Sequence, residues 1–375
     1  MFEARRARSR SIPHLRFAGR LAALILMAVG LAPRSGGATA QPPVQATGYA
    51  PLPVFAIDAT HSHLGFKITH LGFTTVRGRF GSWTGAIAYG GPDALERASV
   101  TIVVDVATID TGNEMRDNDL RSANFFDIEH HPVAYFQSTA VSAVAGGIEV
   151  RGVLSMHGVE RELTIPFRSI GELDQGTSHR IGFAGEITLA RADFGVVNEG
   201  NLLETSGVIG KEATLELEVA AFHRNWSAVP FSQYSSLPSA GDAFLARVED
   251  EGRDGALAWA EAVIEDPPAE MRTATGEFLI AAARLAERGD VAAALDLLQL
   301  LARARPGDAD VSLALAEALR RAGRADEAEE IYRAMASSGE TLPNPVAIES
   351  LRQLRGETSR PSMDDVSREA AAGPR

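Results

Sequence analysis

The sequence predicts a multidomain protein in which an antiparallel β-barrel is followed by an all-α domain of helical repeats. The 375 residues exceed the length of one typical domain of about 150 residues. Apolar residues alternate with a period of two over residues 49–223, which is typical of strands with one buried face. Over residues 242–355 the period becomes that of an α-helix. The polar, unpatterned stretch 224–241 is therefore predicted to be a linker, and the barrel is expected to fold without the helices.

The charge balance and the lack of cysteine exclude several classes of function. Lys and Arg number 36 against 49 Asp and Glu, a net charge of −13. This surplus of negative charge repels phosphate backbones, so no nucleic-acid partner is expected. With no cysteine, thiol nucleophiles, iron–sulfur clusters and disulfides are excluded. A metal site would have to use His and carboxylate ligands.

The first 40 residues have the composition of a signal peptide. Several arginines precede an apolar run at 21–32, and Ala38-Thr39-Ala40 matches an Ala-x-Ala cleavage signal. The run is shorter than the roughly 20 apolar residues that span a membrane, which makes an uncleaved anchor the weaker alternative. We expect a mature chain that begins near Gln41, lacks an integral membrane span and is periplasmic or secreted.

In the β half, turn residues separate the strands too closely for helical crossovers. Glycine-rich breaks lie at 90–92, 146–147 and 171–176. Hairpins that join a meander or a barrel are therefore the predicted topology. One segment, 113–126, does not alternate and is predicted to be a short helix or an ordered loop.

The helical half contains an internal repeat of 34 residues, the interval of tetratricopeptide repeats. In each unit the glycine is expected to end the first helix. Residues 242–268 are predicted to form a helix pair that caps the array, and residues 356–375 a disordered tail. The matched positions are Ala282, Leu285, Gly289, Ala294 and Leu298 in the first unit and Ala316, Leu319, Gly323, Ala328 and Tyr332 in the second.

Motifs along the β half point to one family. They are Ile57-Asp58-x-x-His61-Ser62, Phe66, His70 and Gly72, Arg77-Gly78-Arg79-Phe80, Arg116-Asp117-x-x-Leu120-x-Ser122, Phe125-Phe126-Asp127, His131-Pro132 with Phe136, Gly152-x-Leu154-x-x-His157-Gly158-Val159, and Arg191-Ala192-Asp193-Phe194-Gly195. With these motifs, residues 55–222 resemble the polyisoprenoid-binding YceI-like family. The C-terminal half resembles tetratricopeptide repeats.

The YceI-like resemblance implies a lipocalin-like barrel whose apolar cavity holds an isoprenoid lipid, such as a quinone or a polyprenyl phosphate. No other cofactor is expected. Asp119 departs from the family, whose members often place a His there, and so puts a head-group contact at that position in doubt. The residues predicted to contact the lipid are Phe66, Ile68, His70, Phe80, Leu120, Phe125, Phe126, Phe136, Ile181, Phe183 and Phe194.

Some of these residues have two interpretations. Strand parity places His70 on the inner face with Phe66, where its imidazole either contacts a neighbouring carbonyl or faces the ligand. The same parity turns His63 outward, so these histidines are not expected to share a metal ion, and His61 is expected to bond the backbone of its turn. Phe125 and Phe126 either cover an open end of the barrel or plug it.

Three functions remain open from the sequence. The leading hypothesis is a non-enzymatic periplasmic binder or carrier of an isoprenoid lipid, with helical repeats that bind a protein. The first alternative is a lipid-modifying enzyme in which His70 and a carboxylate act as acid and base, although Asp117 and Asp119 are expected in an exposed turn. The second is an interaction scaffold with a purely structural barrel. The repeats have their own alternative, since they could instead only cover the flank of the barrel.

Overall fold

The computed structural model describes residues 52–198, 200, 206–225, 237–337 and 342–356. The predicted signal peptide lies outside these residues, as do most of the predicted linker and tail. Within the described ranges, no helix is both long and apolar enough to cross a membrane. The strands are β1 (Val54–Ile57), β2 (His63–His70), β3 (Thr74–Phe80), β4 (Trp83–Ala88), β5 (Ser99–Asp105), β6 (Ile109–Asp110), β7 (Val133–Val144), β8 (Gly147–Met156), β9 (Val159–Asp174), β10 (Ser178–Ala190) and β11 (Ile209–Arg224).

Eight of these strands close into an antiparallel barrel, which confirms the predicted fold of the first half. Their order is β1, β4, β5, β7, β8, β9, β10 and β11, and β11 pairs back with β1. The first part of β11 pairs with β2, and β3 and β6 continue from β2. The glycine turns follow the prediction: Gly146 joins β7 to β8 and Gly176 joins β9 to β10, both with positive φ.

The non-alternating segment contains helix α1 (Glu114–Arg121), as its pattern predicted. The side chain of Asn113 begins the helix by accepting a hydrogen bond from the backbone N–H of Arg116 at 3.0 Å. Arg121 holds the other end, because its guanidinium donates to the carbonyls of Ala107 at 2.7 Å and Ile109 at 2.6 Å. The helix is therefore capped at its start and fastened at its end to the chain around β6.

The turn between β1 and β2 is organised by one carboxylate. Asp58 accepts hydrogen bonds from the hydroxyl of Thr60 at 2.6 Å and from Nδ1 of His61 at 2.9 Å, with Arg180 at 3.5 Å. His61 thus bonds this side chain, and not the backbone of the turn as predicted. The Thr60 hydroxyl, followed by His61 and Arg180, lowers the pKa of Asp58 to about 2 despite the opposing effect of burial.

This lowered pKa predicts an acid-dependent contribution to stability. Because the carboxylate is favoured in the folded state, its contribution is complete above the unfolded pKa of about 4 and is lost as the pH falls towards 2. We expect Asp58→Asn to lower the free energy of unfolding by about 2 kcal/mol at pH 7 and by much less near pH 2. Urea unfolding at both pH values measures the difference. A penalty that does not change with pH would contradict this prediction.

The second half is helical, as predicted. Its tetratricopeptide-like pairs end their first helices at Gly289 and Gly323, both with left-handed φ. The first helix is capped by Ser239 and starts at Ala240, inside the range predicted for the linker. The helices are α2 (Ala240–Asp250), α3 (Gly252–Glu265), α4 (Thr275–Glu287), α5 (Val291–Ala304), α6 (Ala309–Arg321), α7 (Ala325–Ala336) and α8 (Pro345–Arg355).

One continuous core joins these helices. The equivalent repeat positions Ala282 and Ala316, and Leu298 and Tyr332, are all buried in it. The predicted capping pair corresponds to α2 and α3, whose Phe244 and other apolar residues enter the same core. Successive units thus bury a small side chain at one repeat position and a large side chain at another.

The last helix, α8, packs against the outer wall of the barrel over β1, β4 and β5. Ile348 of α8 forms an apolar cluster with Val103 of β5 and Tyr135 of β7. Beside this cluster, a Glu349–Arg352 ion pair is buried against the same strands. The helical half therefore does cover a flank of the barrel, mainly through α8, with Ala336 at the end of α7 and Leu342 packed against the same cluster.

Candidate functional site: an apolar cavity with one polar end

The barrel encloses a cavity of about 740 Å³, a volume within the range of roughly 300–1,000 Å³ that is usual for small-molecule sites. The β2–β3 hairpin, α1 and the turn Arg191–Phe194 contribute residues to one end of its lining. Met115 of α1 belongs to this lining although it is 83% exposed. The cavity therefore reaches the surface at this end, which we call the opening.

Ten of the eleven residues predicted to contact a lipid line the cavity, and Ile181 does not. Ile181 has the same inward parity as Phe183 on β10, but it lies nearer the end opposite the opening, where it packs in the barrel core. Strand alternation correctly predicted that Ile181 faces inward. Its position near the far end of the barrel keeps it out of the cavity lining. The ten are Phe66, Ile68, His70, Phe80, Leu120, Phe125, Phe126, Phe136, Phe183 and Phe194.

Charged and amide side chains of the lining gather at the opening. They come from the end of β2, from the start and middle of α1, and from the turn after β10. The opposite end is lined by groups such as Tyr89, Leu95 and Phe183. The cavity is thus apolar along most of its length and has its charged side chains at its mouth, an arrangement that suits a long apolar molecule with a polar head. The charged and amide groups at the mouth are His70, Asn113, Arg116, Asp119 and Arg191, and the hydroxyl residues Thr69 and Thr111 adjoin them in the chain.

Arg116 is held in place at the mouth by its own turn. Its Nε donates to the hydroxyl of Thr111 at 2.7 Å and its Nη2 donates to the Thr111 carbonyl at 3.0 Å. Thr111 in turn donates, through its backbone N–H, to the carboxylate of Asp117 at 3.0 Å. Asp117 is buried, which corrects the prediction that it lies in an exposed turn, because these bonds replace its contact with water.

Asp119, the residue that departs from the family pattern, lines the mouth and accepts a hydrogen bond from the amide of Asn124 at 2.7 Å. The charged lining at the opening thus includes this carboxylate and the guanidinium groups of Arg116 and Arg191. Thr111 and Asn113 also line the cavity, although sequence patterns did not predict it. The signal for Asn113 was its position three residues before Arg116, at the start of a helix.

Comparison with known proteins gives two family matches. A YceI-like domain matches residues 55–221 and a tetratricopeptide repeat matches residues 285–340. A UPF0312 protein of Vibrio cholerae is 36% identical over 138 residues, which are 36% of this chain and 72% of the relative. The chain belongs to the YceI-like family. A UPF0312 protein of Ectopseudomonas mendocina is 32% identical over 149 residues, 39% of this chain and 78% of the relative.

Solved structures similar to this YceI-like protein cover its barrel half. One is BcnA of Burkholderia cenocepacia, at 20% identity and a TM-score of 0.39, covering 44% of this chain and 98% of BcnA. Another is a polyisoprenoid-binding domain from Saccharophagus degradans, at 19% identity and a TM-score of 0.35, covering 45% of this chain and 98% of that domain.

The two aromatic residues of the turn after α1 lie beside the opening of the YceI-like barrel. Phe126 meets Phe80 of β3 edge to face, with ring centroids 6.3 Å apart. Phe125 is buried with Phe194 in a separate small core at this end. Both side chains also line the cavity. They thus form part of the wall beside the opening.

His70 lies half-buried in the lining of the YceI-like barrel. In the part of the chain that the structure describes, its imidazole has neither the carbonyl partner of a structural histidine nor a carboxylate partner. This favours the ligand-facing interpretation. Within the same described ranges, no three His, Asp or Glu side chains gather closely enough to hold a metal ion.

Proposed function

We propose that this protein binds an isoprenoid lipid non-covalently and carries it in the periplasm. The observation that carries the proposal is the cavity, which is apolar along most of its length and has its charged side chains at its mouth. Each buried CH₂ group contributes about 0.8 kcal/mol, so a long tail binds without polar contacts. The choice of an isoprenoid among long-tailed lipids follows from membership of the YceI-like family.

The groups at the mouth define what the head of the lipid meets. Arg116 and His70 can donate hydrogen bonds to a ligand oxygen, while Asp119 adds a negative charge beside them. A quinone carbonyl is neutral and accepts hydrogen bonds from such donors without repulsion from Asp119. A polyprenyl phosphate is attracted by Arg116 and repelled by Asp119, and the second guanidinium at the mouth, Arg191, already donates to the carbonyls of Gly210 and Val196. We therefore propose a quinone-type head as the better fit of the two.

The test is organic extraction of the purified full chain followed by mass spectrometry. A co-purifying isoprenoid quinone supports the proposal, and a polyprenyl phosphate supports the carrier but not the choice of head group. A barrel that yields no lipid and does not take up added ubiquinone would overturn it.

We also propose export to the periplasm, with cleavage after Ala40. The basic start, the short apolar run and the Ala38-Thr39-Ala40 signal support it. N-terminal sequencing of protein released from the periplasm is expected to begin at Gln41. Released protein that still begins at Met1 would contradict this prediction.

For the tetratricopeptide-like helices α4–α7, we propose binding of a basic or extended peptide. Residues 241–357 hold 23 acidic and 13 basic side chains, which favours a basic partner over an anionic surface. The tetratricopeptide match at 285–340 supports a protein as the class of partner. A truncation that removes all helices also uncovers Val103 and Tyr135 of the barrel, so charge reversal on α4–α7 is the cleaner test.

A further inference from the structure

Three large apolar side chains are strongly exposed at the opening of the barrel. Leu71 is 51% exposed, Phe73 80% and Met115 83%. Single exposed apolar residues are common on protein surfaces, but a group of them beside a binding cavity marks an interaction site. We call Leu71, Phe73 and Met115 the apolar rim.

The backbone of the rim is ordered by hydrogen bonds, so the exposure is built into the fold. At the tip of the β2–β3 hairpin the carbonyl of His70 accepts from the N–H of Phe73 at 3.3 Å and from the hydroxyl of Thr74 at 2.8 Å. Leu71 adopts a left-handed φ of 56°, which is uncommon for a residue with a side chain. The turn therefore holds two apolar side chains outward at some cost in backbone energy.

The rim adjoins the cavity on two sides. The hairpin that carries Leu71 and Phe73 supplies His70 and Val76 to the lining, and Met115 itself lines the cavity. The hairpin and the segment before α1 also touch, because a Cβ on Gly78 would lie 2.9 Å from Cγ2 of Thr111. Both parts of the rim thus flank one opening.

From this geometry we propose that the apolar rim inserts into the surface of a lipid bilayer, so that an isoprenoid tail moves between bilayer and cavity without crossing water. This inference rests on the proposed lipid binding. Continuity between the rim and a lipid-sized cavity is the reason for choosing a bilayer over a protein partner. The helical half leaves the route clear, since α8 packs over β1, β4 and β5.

Charge contributes little to this docking. The rim is flanked by Glu114 and Asp119 as well as by Arg116, and the chain after Ala40 holds 29 Lys and Arg against 48 Asp and Glu. Insertion of apolar side chains therefore supplies the attraction, and neutral bilayers suffice. Binding is expected to change little with salt, unlike binding by a basic patch.

The experiment is flotation of the full chain with phosphatidylcholine vesicles at low and high salt. We expect the wild type to float at both salt concentrations and the double variant Phe73→Ser, Met115→Ser to partition at least about tenfold less. Leu173→Ser is the matched control, because Leu173 is 53% exposed on β9 at the opposite end of the barrel. This control is expected to float like the wild type.

Each other outcome overturns the inference. Equal flotation of wild type and double variant, no flotation of the wild type, or binding that requires phosphatidylglycerol and is lost at high salt would each do so. A dimer of the wild type that the double variant loses, without any change in flotation, would assign the rim to a second copy of the chain.

Mass spectrometry of extracts from the same samples separates this inference from the proposed function. A wild type that contains an isoprenoid but does not float rejects the docking and leaves lipid binding intact. Flotation that depends on the rim, by a barrel that neither contains nor takes up an isoprenoid, supports the docking and rejects lipid carriage. Circular dichroism of both variants checks that they remain folded.

Discussion

Glu349→Ala is expected to lower the free energy of unfolding by about 3 kcal/mol or more, because it leaves a buried charge without its partner. Glu349 is 1% exposed and accepts hydrogen bonds from Arg352 at 3.2 Å, from Thr101 at 3.2 Å and from Ser99. Without Glu349, the guanidinium of Arg352 remains buried between α8 and the barrel wall with no carboxylate to pair with it. Urea unfolding of the full chain measures the loss.

The control for this prediction is an ion pair with the same spacing on an exposed helix surface. Arg324 and Glu327 are also three residues apart, but both are partly exposed. Glu327→Ala is therefore expected to cost less than about 1 kcal/mol. Equal penalties for the two substitutions would mean that burial between α8 and the barrel does not strengthen the dependence on the ion pair.

Ala213→Trp is expected to weaken isoprenoid binding at least tenfold, because it fills the cavity near its opening. Ala213 lines the cavity on β11, paired with Ile68 of β2 and Leu189 of β10. An indole at this position occupies the path of a tail that enters from the mouth. Titration of the full chain with geranylgeraniol, followed by intrinsic fluorescence, gives the affinity.

The neighbouring residue gives a matched control. Thr214 lies on the same strand with its side chain on the outer face, where its hydroxyl is 2.9 Å from that of Thr188. Thr214→Trp therefore adds the same bulk outside the barrel and is expected to leave the affinity within about twofold. If both variants bind like the wild type, the cavity at Ala213 does not hold the lipid.

Local sequence patterns predicted the barrel and the helical repeats because their periods reflect which side of each element is buried. Alternation placed Phe66, Ile68 and His70 on one inner face, and the structure places all three in the cavity lining. Gly289 and Gly323 predicted helix ends because the residue that follows a helix often adopts a left-handed backbone conformation, which glycine tolerates best.

Features that depend on distant contacts were not predictable in this way. Asp117 looked like a solvated carboxylate because its partner, Thr111, becomes available only when the turn before α1 folds back. The docking of α8 depends on residues about 250 positions away along the chain. A signal did exist in β5, where Val103 is apolar on the face opposite Ile102 and Val104, so both faces of that strand had to be covered.

The position of α8 has a consequence for how this protein can change over evolution. A stack of helical repeats normally ends in a unit with a polar outer face, and such stacks lengthen by duplication of units. Here the last helix turns Ile348, Glu349 and Arg352 towards the barrel, which takes the place of that terminal unit. A unit duplicated after α8 would have to displace a sheet and a buried ion pair. The C-terminal end of the array is therefore closed to growth, and new units can be added only before it.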